Sequence, residues 1–485
     1  MFPEGFVWGS ASSAYQIEGG ARQAGRGESV WDTFCRVPGA VKRGHTGDVA
    51  CDHLNRVEDD VKMMRDLGIP SYRFSVSWTR VMPEGIGAVN QAGLAFYDKL
   101  VDLLLEHNIT PWLTLFHWDY PHALQRRGGW LNPDSPKWFA DYTRVIVDRL
   151  SDRVSRWMTI NEPQIFIGLG HGDATQAPGL KLPVAERLQV GHNVLLSHGR
   201  SVQVIRAHAK LRSTVGWAPC ARVEYPVTET AADIDAARKA MFAITKRDSW
   251  NNTWWADPVC LGHYPEDGLD LYGKDAPTPA AGDMETIKQP LDFYGVNIYS
   301  GEPVRAGREG LPEYVGHAPG NNQTAFGWPV TPESLYWGPK FLAERYKLPV
   351  YITENGLACL DWVSGDGKVH DPQRIEFTRT YLLQLARAAR EGSVKGYFHW
   401  SIMDNFEWAE GYQMRFGLVH VDFVTQKRTP KDSAHWFSEV IASNGANLNT
   451  YSDSVVESLG HSVSNGFSPI VTKAQRSIPT PEARR

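Results

Sequence analysis

The chain has 485 residues, of which 42% are apolar and 22% charged, and 50 basic against 55 acidic side chains give a formal net charge of −5. That balance supplies ample core for a soluble globular protein. With no long run of one sign, it argues against a nucleic acid or an anionic membrane as the main partner. The 18 tryptophans are an unusual excess, and flat aromatic faces both fill cores and stack on the C–H faces of sugar rings.

Five cysteines (Cys35, Cys51, Cys220, Cys260 and Cys359) are scattered without a C-x-x-C pair or zinc-like spacing, which reads as free thiols in a reducing compartment. The opening "MFPEGFVWGS" lacks the basic and apolar regions of a signal peptide, and no run approaches the roughly 18 apolar residues of a membrane span. A cytoplasmic protein is expected.

Short apolar runs that suit strands occur in chain order at 6–12, 71–78, 110–118 and 155–161, then at 214–220, 291–300, 349–355 and 394–404. Amphipathic helical patterns lie between them. In 57–68, Val57, Val61, Met64 and Leu67 share one face and Gly68 suits the C-terminal cap. Segments 92–107, with Phe96, Leu100, Leu103 and Leu104 inward, and 374–391 behave alike. Eight strand-plus-helix units with near-continuous apolar strands describe a parallel sheet covered on its outer face. The count of eight favours an α/β fold of the (β/α)8 TIM barrel type over an open doubly wound sheet. No Gly-rich phosphate fingerprint follows an early strand. Long excursions at 162–214, 218–290 and 299–348 are where function is expected. A barrel domain over 1–443 is followed by a Ser/Asn/Pro-rich extension, 444–485, expected to be weakly ordered and without a catalytic role.

Reactive groups of such barrels stand at the C-terminal ends of the strands. Those ends offer Gln16 and Glu18, Arg73, His117 and Trp118, Asn161 and Glu162, Asn297 and Tyr299, Glu354, then Trp400, Glu407 and Trp408. Two carboxylates, Glu162 and Glu354, arrive on one rim from strands four and seven. Glycosidic bond cleavage needs one acid to protonate the leaving oxygen and one carboxylate to meet the oxocarbenium-like carbon, about 5 Å apart when configuration is retained. Arg73 and Tyr299 suit Glu354 to the anionic, nucleophilic role. Glu162, near that anion and apolar surface, suits the general acid. Asn161 is placed for a sugar 2-hydroxyl, and Pro163 stiffens the turn behind Glu162. No His/Asp/Glu set has metal-ligand spacing, and this chemistry needs neither metal nor cofactor. His399 and His420 are expected to be structural, and Cys220 a buried thiol at the end of strand five.

"TINEP" (159–163) and "ITENG" (352–356) resemble the paired signatures of glycoside hydrolase family 1, retaining β-glucosidases and β-galactosidases with a (β/α)8 fold. The likeness runs over about residues 2–443 and includes "FVWGSASSAYQIEGG", "YRFSVSW", "LFHWDYP", "YGVNIYS" and "FHWSIMDNFEWAEGY". It implies Glu162 as acid/base, Glu354 as nucleophile, and Tyr299 and Arg73 attending the latter. It further implies that Gln16, His117, Asn161, Glu407 and Trp408 bond the non-reducing sugar, with Trp400 beneath it, Trp328 as a leaving-group platform and Phe416 closing the pocket near Glu407. Gln164 and "TQAPG" (175–179) depart from the frequent Trp and "HAPG", which bears on the leaving group. Family members acting on 6-phosphorylated sugars have a Ser with a following Lys and Tyr where this chain has Glu407, and a carboxylate there repels a phosphate dianion. The expected activity is an exo-acting β-glucosidase with side activity on β-galactosides and β-fucosides. The alternatives are a non-catalytic sugar-binding relative or a 6-phospho-β-glycosidase, and the expected partner is a small β-glucoside or oligosaccharide.

Overall fold

The computed structural model describes residues 1–449. Eight parallel strands form one sheet: β1 Val7–Ala11, β2 Ser71–Ser75, β3 Thr110–Phe116, β4 Arg156–Asn161, β5 Thr214–Ala218, β6 Tyr294–Asn297, β7 Val350–Asn355 and β8 Val394–Trp400. Their spatial order is β5-β4-β3-β2-β1-β8-β7-β6. The gap between β5 and β6 is bridged by Asp292 N–H donating to the Val215 carbonyl (2.9 Å) and Asn297 N–H to the Pro219 carbonyl (2.9 Å), so the sheet closes on itself. Helices α1 His53–Asp66, α2 Gln91–Glu106, α3 Ser135–Leu150, α4 Val184–His208, α5 Ser334–Tyr346, α6 Pro372–Arg390 and α7 Asp432–Ala442 belong to the outer layer. This is the (β/α)8 barrel expected from the alternation of apolar runs.

Local chemistry explains the units. In α1, Val57, Val61 and Met64 are buried on the inner face. The chain then turns at Gly68, whose φ of +65° is open to glycine at little cost. Ile69 N–H donates back to the Met64 carbonyl at 3.0 Å, which satisfies a terminal carbonyl. In α2 the buried stripe is Phe96, Tyr97, Leu100, Val101 and Leu104, with Leu103 only half-buried at its edge.

The barrel interior is filled at the N-terminal ends of the strands. Trp112 lies 5.6 Å from Phe293, 5.2 Å from Tyr351 and 5.1 Å from Phe398, ring centre to ring centre. Room for these rings comes from glycine: a Cβ on Gly9 would lie 2.5 Å from the Phe398 ring, and one on Gly216 2.6 Å from Phe293. Because this aromatic plug blocks one end, a cavity can open only at the other, where the strands finish.

Several strands end earlier than their apolar runs suggest. β2 stops at Ser75 because Trp78–Val81 starts a helical turn. The expected 291–300 strand shrinks to four residues. Ahead of it the Asp292 carboxylate accepts from Val215 N–H (2.7 Å) and from Arg206 (2.6 Å), anchoring the entrance through a side chain. The long excursions contain structure of their own, including a three-stranded sheet of Val223–Pro226, Gly301–Ala306 and Pro312–Tyr314. Packed chain also continues past 443. Asn444 accepts from Trp8 Nε1 (3.0 Å) and donates to the Phe2 carbonyl (2.9 Å), and Leu448 is buried. The rest of the Ser/Asn/Pro-rich extension lies outside the described residues. Among the described residues no helix is long and apolar enough to cross a membrane.

Candidate active site

At the end of β4 the chain delivers Asn161 and then Glu162. The Glu162 backbone is left-handed (φ +43°, ψ 67°), and Pro163 begins the short helix Pro163–Ile167. A non-glycine residue in that region costs on the order of 1–3 kcal/mol unless its surroundings hold it. Here Glu162 N–H donates to the Ala218 carbonyl at 2.8 Å, and the side-chain Oε1 accepts from Asn297 Nδ2 at 2.9 Å. Glu354, near the end of β7, is held differently. Its Oε1 accepts from Arg73 Nη1 at 2.6 Å and its Oε2 from the Tyr299 hydroxyl at 2.8 Å.

Arg73 reaches this point from the middle of β2, its side chain buried in the barrel mouth. Besides Glu354 it donates to Asn161 Oδ1 (2.6 Å), the Thr353 carbonyl (3.0 Å) and Thr114 Oγ1 (3.3 Å). Asn161 Oδ1 also accepts from Asn297 Nδ2 at 3.1 Å. With that oxygen committed, the Asn161 amide nitrogen is the donor toward His117 Nε2 (3.2 Å), so the histidine carries its proton on Nδ1. Burial and the Arg73 charge hold His117 well below the usual imidazole range, so it is neutral.

The two carboxyl groups therefore differ in environment. Glu162 is pushed up to about 8, first by burial and second by the charge on Glu354, against weaker lowering by the Asn297 bond and Arg73. Burial raises Glu354 as well, but the Arg73 charge, the Arg73 hydrogen bond and the Tyr299 hydroxyl all favour its anion. One proton shared between them resides on Glu162. Chemically this is an acid beside a poised carboxylate.

Both groups line one cavity of about 980 Å3. At its inner end His117 stacks between Trp400 (5.6 Å, 16°) and Trp408 (5.9 Å, 19°). Trp118 packs on Trp408 at 4.6 Å and donates its indole N–H to the Asn161 carbonyl at 3.1 Å. Gln16 closes the back: its Nε2 donates to Glu407 Oε2 (3.2 Å), Asn405 Oδ1 (3.0 Å) and the Phe406 carbonyl (3.0 Å). Burial first, then the charges of Glu354 and Glu162, push the Glu407 carboxyl well above its ordinary range. Farther out, Trp328 stacks on Phe326 (4.6 Å, 11°) and neighbours Tyr299 (5.4 Å). Phe416 sits in that aromatic group, 5.9 Å from Tyr299 and 6.4 Å from Trp328.

The family model for glycosyl hydrolase family 1 matches residues 1–446. The chain belongs to glycosyl hydrolase family 1. It is 46% identical over 448 residues to the 1,4-beta-D-glucan glucohydrolase of Thermotoga neapolitana, covering 92% of this chain and 99% of the relative. A bifunctional beta-D-glucosidase/beta-D-fucosidase of Bifidobacterium breve is 39% identical over 472 residues, with 92% and 99% covered. The solved structure of the beta-glucosidase from Thermotoga maritima in complex with glucoimidazole superposes with a TM-score of 0.84 at 44% identity, covering 92% of this chain and 99% of that one.

Within this family 1 barrel most strand-end residues singled out from sequence line one cavity, Gln16, Arg73 and Asn161 lie buried behind its wall in contact with them, and one residue points elsewhere. Glu18 turns away and accepts from Arg80 Nε (2.8 Å) and the Tyr97 hydroxyl (2.6 Å), so it braces the short helix carrying Gln16. Sequence reasoning missed Thr353, whose hydroxyl donates to Asn297 Oδ1 at 2.6 Å and so fixes which face of that amide Glu162 sees. The outer wall includes Gln176, from the "TQAPG" departure singled out above, and Arg222, Lys246, Trp250 and Tyr314, which sequence reasoning missed. Thr353 adjoins Glu354 and had a positional signal. Arg222, Lys246, Trp250 and Tyr314 sit in long excursions with none. Cys220, expected to be buried, is instead half-buried and lines the cavity; desolvation first, then the charges of Glu162 and Glu354, hold its thiol well above the usual range, so it is an unreactive part of the wall. His399 is buried and pushed down to about 3, a neutral core residue.

Proposed function

We propose that this family 1 chain is a retaining, exo-acting β-glucosidase that removes the terminal non-reducing β-D-glucosyl unit of short β-glucosides and oligosaccharides. Glu162 is the acid/base and Glu354 the nucleophile. The observation that carries this is the asymmetry of the pair: an Arg73 ion pair and a phenol on Glu354, and a single amide on a raised Glu162.

In the first step Glu354 forms a bond to the anomeric carbon while Glu162 gives its proton to the leaving oxygen, and the aglycone departs as an alcohol. The bond to Glu354 cancels its charge, so the repulsion that raised Glu162 is gone. Glu162, now an anion held by Asn297, takes a proton from water as that water attacks the same carbon. Glu354 leaves, and two inversions give retention. Asn161 Nδ2 is the donor within reach of the sugar 2-hydroxyl, because its oxygen is already occupied. Glu407 and Gln16 at the blind end suit the 4- and 6-hydroxyls, which fixes the cut to a chain terminus. The 4-hydroxyl contact tolerates both orientations, so β-galactosides and β-fucosides are side substrates. A cytoplasmic setting accords with the five unpaired thiols.

The test is chemical rescue. Glu354→Gly should abolish hydrolysis of an aryl β-glucoside and, with azide, yield the α-glucosyl azide. Glu162→Gly should instead yield the β-azide. The opposite pairing of variant and anomer would reverse the assignment.

A further inference from the structure

The chain leaves β8 toward the blind end of the cavity, delivers Glu407 and Trp408, and returns past Phe416. Both legs of that loop are fastened at one carboxylate. Asp404, on the outgoing leg, accepts through Oδ1 from Gly417 N–H on the returning leg (3.0 Å) and through Oδ2 from Arg415 Nη1 (2.6 Å). Its Oδ1 also accepts from Lys431 Nζ (2.7 Å), the residue just ahead of α7. Backbone bonds continue the seam: Ser401 N–H donates to the Phe416 carbonyl (3.3 Å), Leu418 N–H to the Ser401 carbonyl (2.9 Å) and Asp404 N–H to the Val419 carbonyl (2.9 Å). The fit leaves no slack, since a Cβ on Gly417 would lie 2.0 Å from the Asp404 nitrogen.

This clasp reaches the nucleophile strand. Lys431 Nζ also donates to Asp361 Oδ2 (2.6 Å), in the loop after β7. Arg374 on α6 donates to the same oxygen (2.7 Å) and to the Arg415 carbonyl (2.8 Å). Cys359 N–H donates to the Arg415 carbonyl (3.0 Å) and Arg415 N–H to the Cys359 carbonyl (3.2 Å). Asp371 completes the set by pairing with Arg374 and accepting from Ser433 N–H (2.9 Å). Three carboxylates and three cations thus form one network, in which Asp404, Lys431, Arg374 and Asp371 are buried.

Buried ion networks add little net stability over a packed apolar cluster. What they supply is direction, because a charge-assisted bond holds its partners in a narrow geometry. The geometry held here is that of Glu407 and Phe416 relative to the strand carrying Glu354. We propose that Asp404 is a positioning residue for sugar recognition: clasped by Arg415 and Lys431, it sets the placement of Glu407 against the nucleophile and, through it, the preference for a 6-hydroxyl on the terminal sugar. This rests on the glucosidase reading above. Asp404, Arg415 and Lys431 do not line the cavity, so their influence passes through the loop they fasten.

The test compares kcat/KM on a nitrophenyl β-D-glucoside and on its 6-deoxy analogue for the full chain and for Asp404→Asn, Arg415→Met and Arg415→Lys. Covalent trapping with a 2-fluoroglucoside counts the competent sites, so misfolded material does not enter the rates. The unaltered chain should prefer the glucoside by about tenfold or more, the order of a hydrogen bond to a charged group. Asp404→Asn and Arg415→Met should each cut that preference by about threefold or more, mainly through KM. Arg415→Lys, which keeps a cation beside Asp404, should restore most of it. Equal values for the two glycosides in the unaltered chain would overturn the proposal, as would variants that lower both in parallel, the signature of a merely structural role. Should Asp404→Asn not fold, the two variants at the partly exposed Arg415 decide the question. If the chain hydrolyses no β-glucoside, the catalytic reading fails instead. Calorimetric binding of D-glucose against 6-deoxy-D-glucose then decides the clasp: a preference for glucose that is lost with Arg415→Met supports it, and a preference that is absent or kept refutes it.

Discussion

Removing the charge of Glu354 should bring the Glu162 proton into the acidic range. In the intact pair Glu162 sits at about 8, with burial the larger cause and the neighbouring anion the second. Two unit charges about 5.5 Å apart, the spacing of a retaining pair, interact by about 3 kcal/mol at an effective dielectric of about 20. That is about 2 pH units. Glu354→Gln should therefore lower the Glu162 midpoint to about 6. It should stay above the ordinary carboxylate value because burial persists. The liberated charge of Arg73 adds to the lowering. The assay is a 13C-carboxyl NMR titration, with Glu162 assigned by comparison with Glu162→Gln. Trapping Glu354 as a 2-fluoroglucosyl ester should give a similar drop without mutation. In the unaltered enzyme the first step needs Glu162 protonated and Glu354 ionised, so kcat/KM should fall as pH rises through the higher midpoint. A Glu162 midpoint that moves by less than about half a unit in both the variant and the ester would show that burial alone sets it, and the described switch from acid to base would be wrong.

Two further outcomes are expected. Arg73→Met leaves Glu354 buried without its cation, so kcat at neutral pH should fall by about 100-fold or more as the nucleophile is neutralised. Because the Glu354 midpoint in the folded variant then lies farther above its unfolded value, the stability loss should grow as pH rises from about 4.5 through that midpoint. Urea unfolding at pH 5 and pH 8 reads this, and an equal loss at both would refute it. Glu407→Gln replaces one carboxyl oxygen by an amide nitrogen and leaves a buried sugar hydroxyl without its partner, at a cost of about 1–3 kcal/mol. It should lower kcat/KM on a nitrophenyl β-glucoside by about 10–100-fold and less on the β-fucoside, which lacks the 6-hydroxyl. Equal losses would remove the 6-hydroxyl from the contacts of Glu407.

Much of the site was legible because barrel geometry converts position in sequence into position in space. A residue at the end of a buried parallel strand must emerge at one rim, so Asn161, Glu162, Asn297 and Glu354 followed once the strands were recognised. The same rule failed for Glu18, which a buried Arg80 captures. It was silent on Trp250 and Tyr314, whose segments have no repeating geometry to project from.

The linear chain alone settled the eight-unit barrel and the presence of two carboxylates on its mouth, because strand periodicity and strand-end placement are local properties of neighbouring residues. The sequence already offered Glu162 as the holder of the proton through Arg73, Tyr299 and the family resemblance, and only the tertiary structure supplies the contacts behind that choice. That choice depends on an arginine reaching across from the middle of β2, a phenol from the loop beyond β6 and an amide aligned by Thr353. Electrostatic roles arise from donors brought together across the fold; strand-end position pointed to Arg73 and Tyr299, whereas the Thr353 contact that aligns the amide has no counterpart in chain spacing.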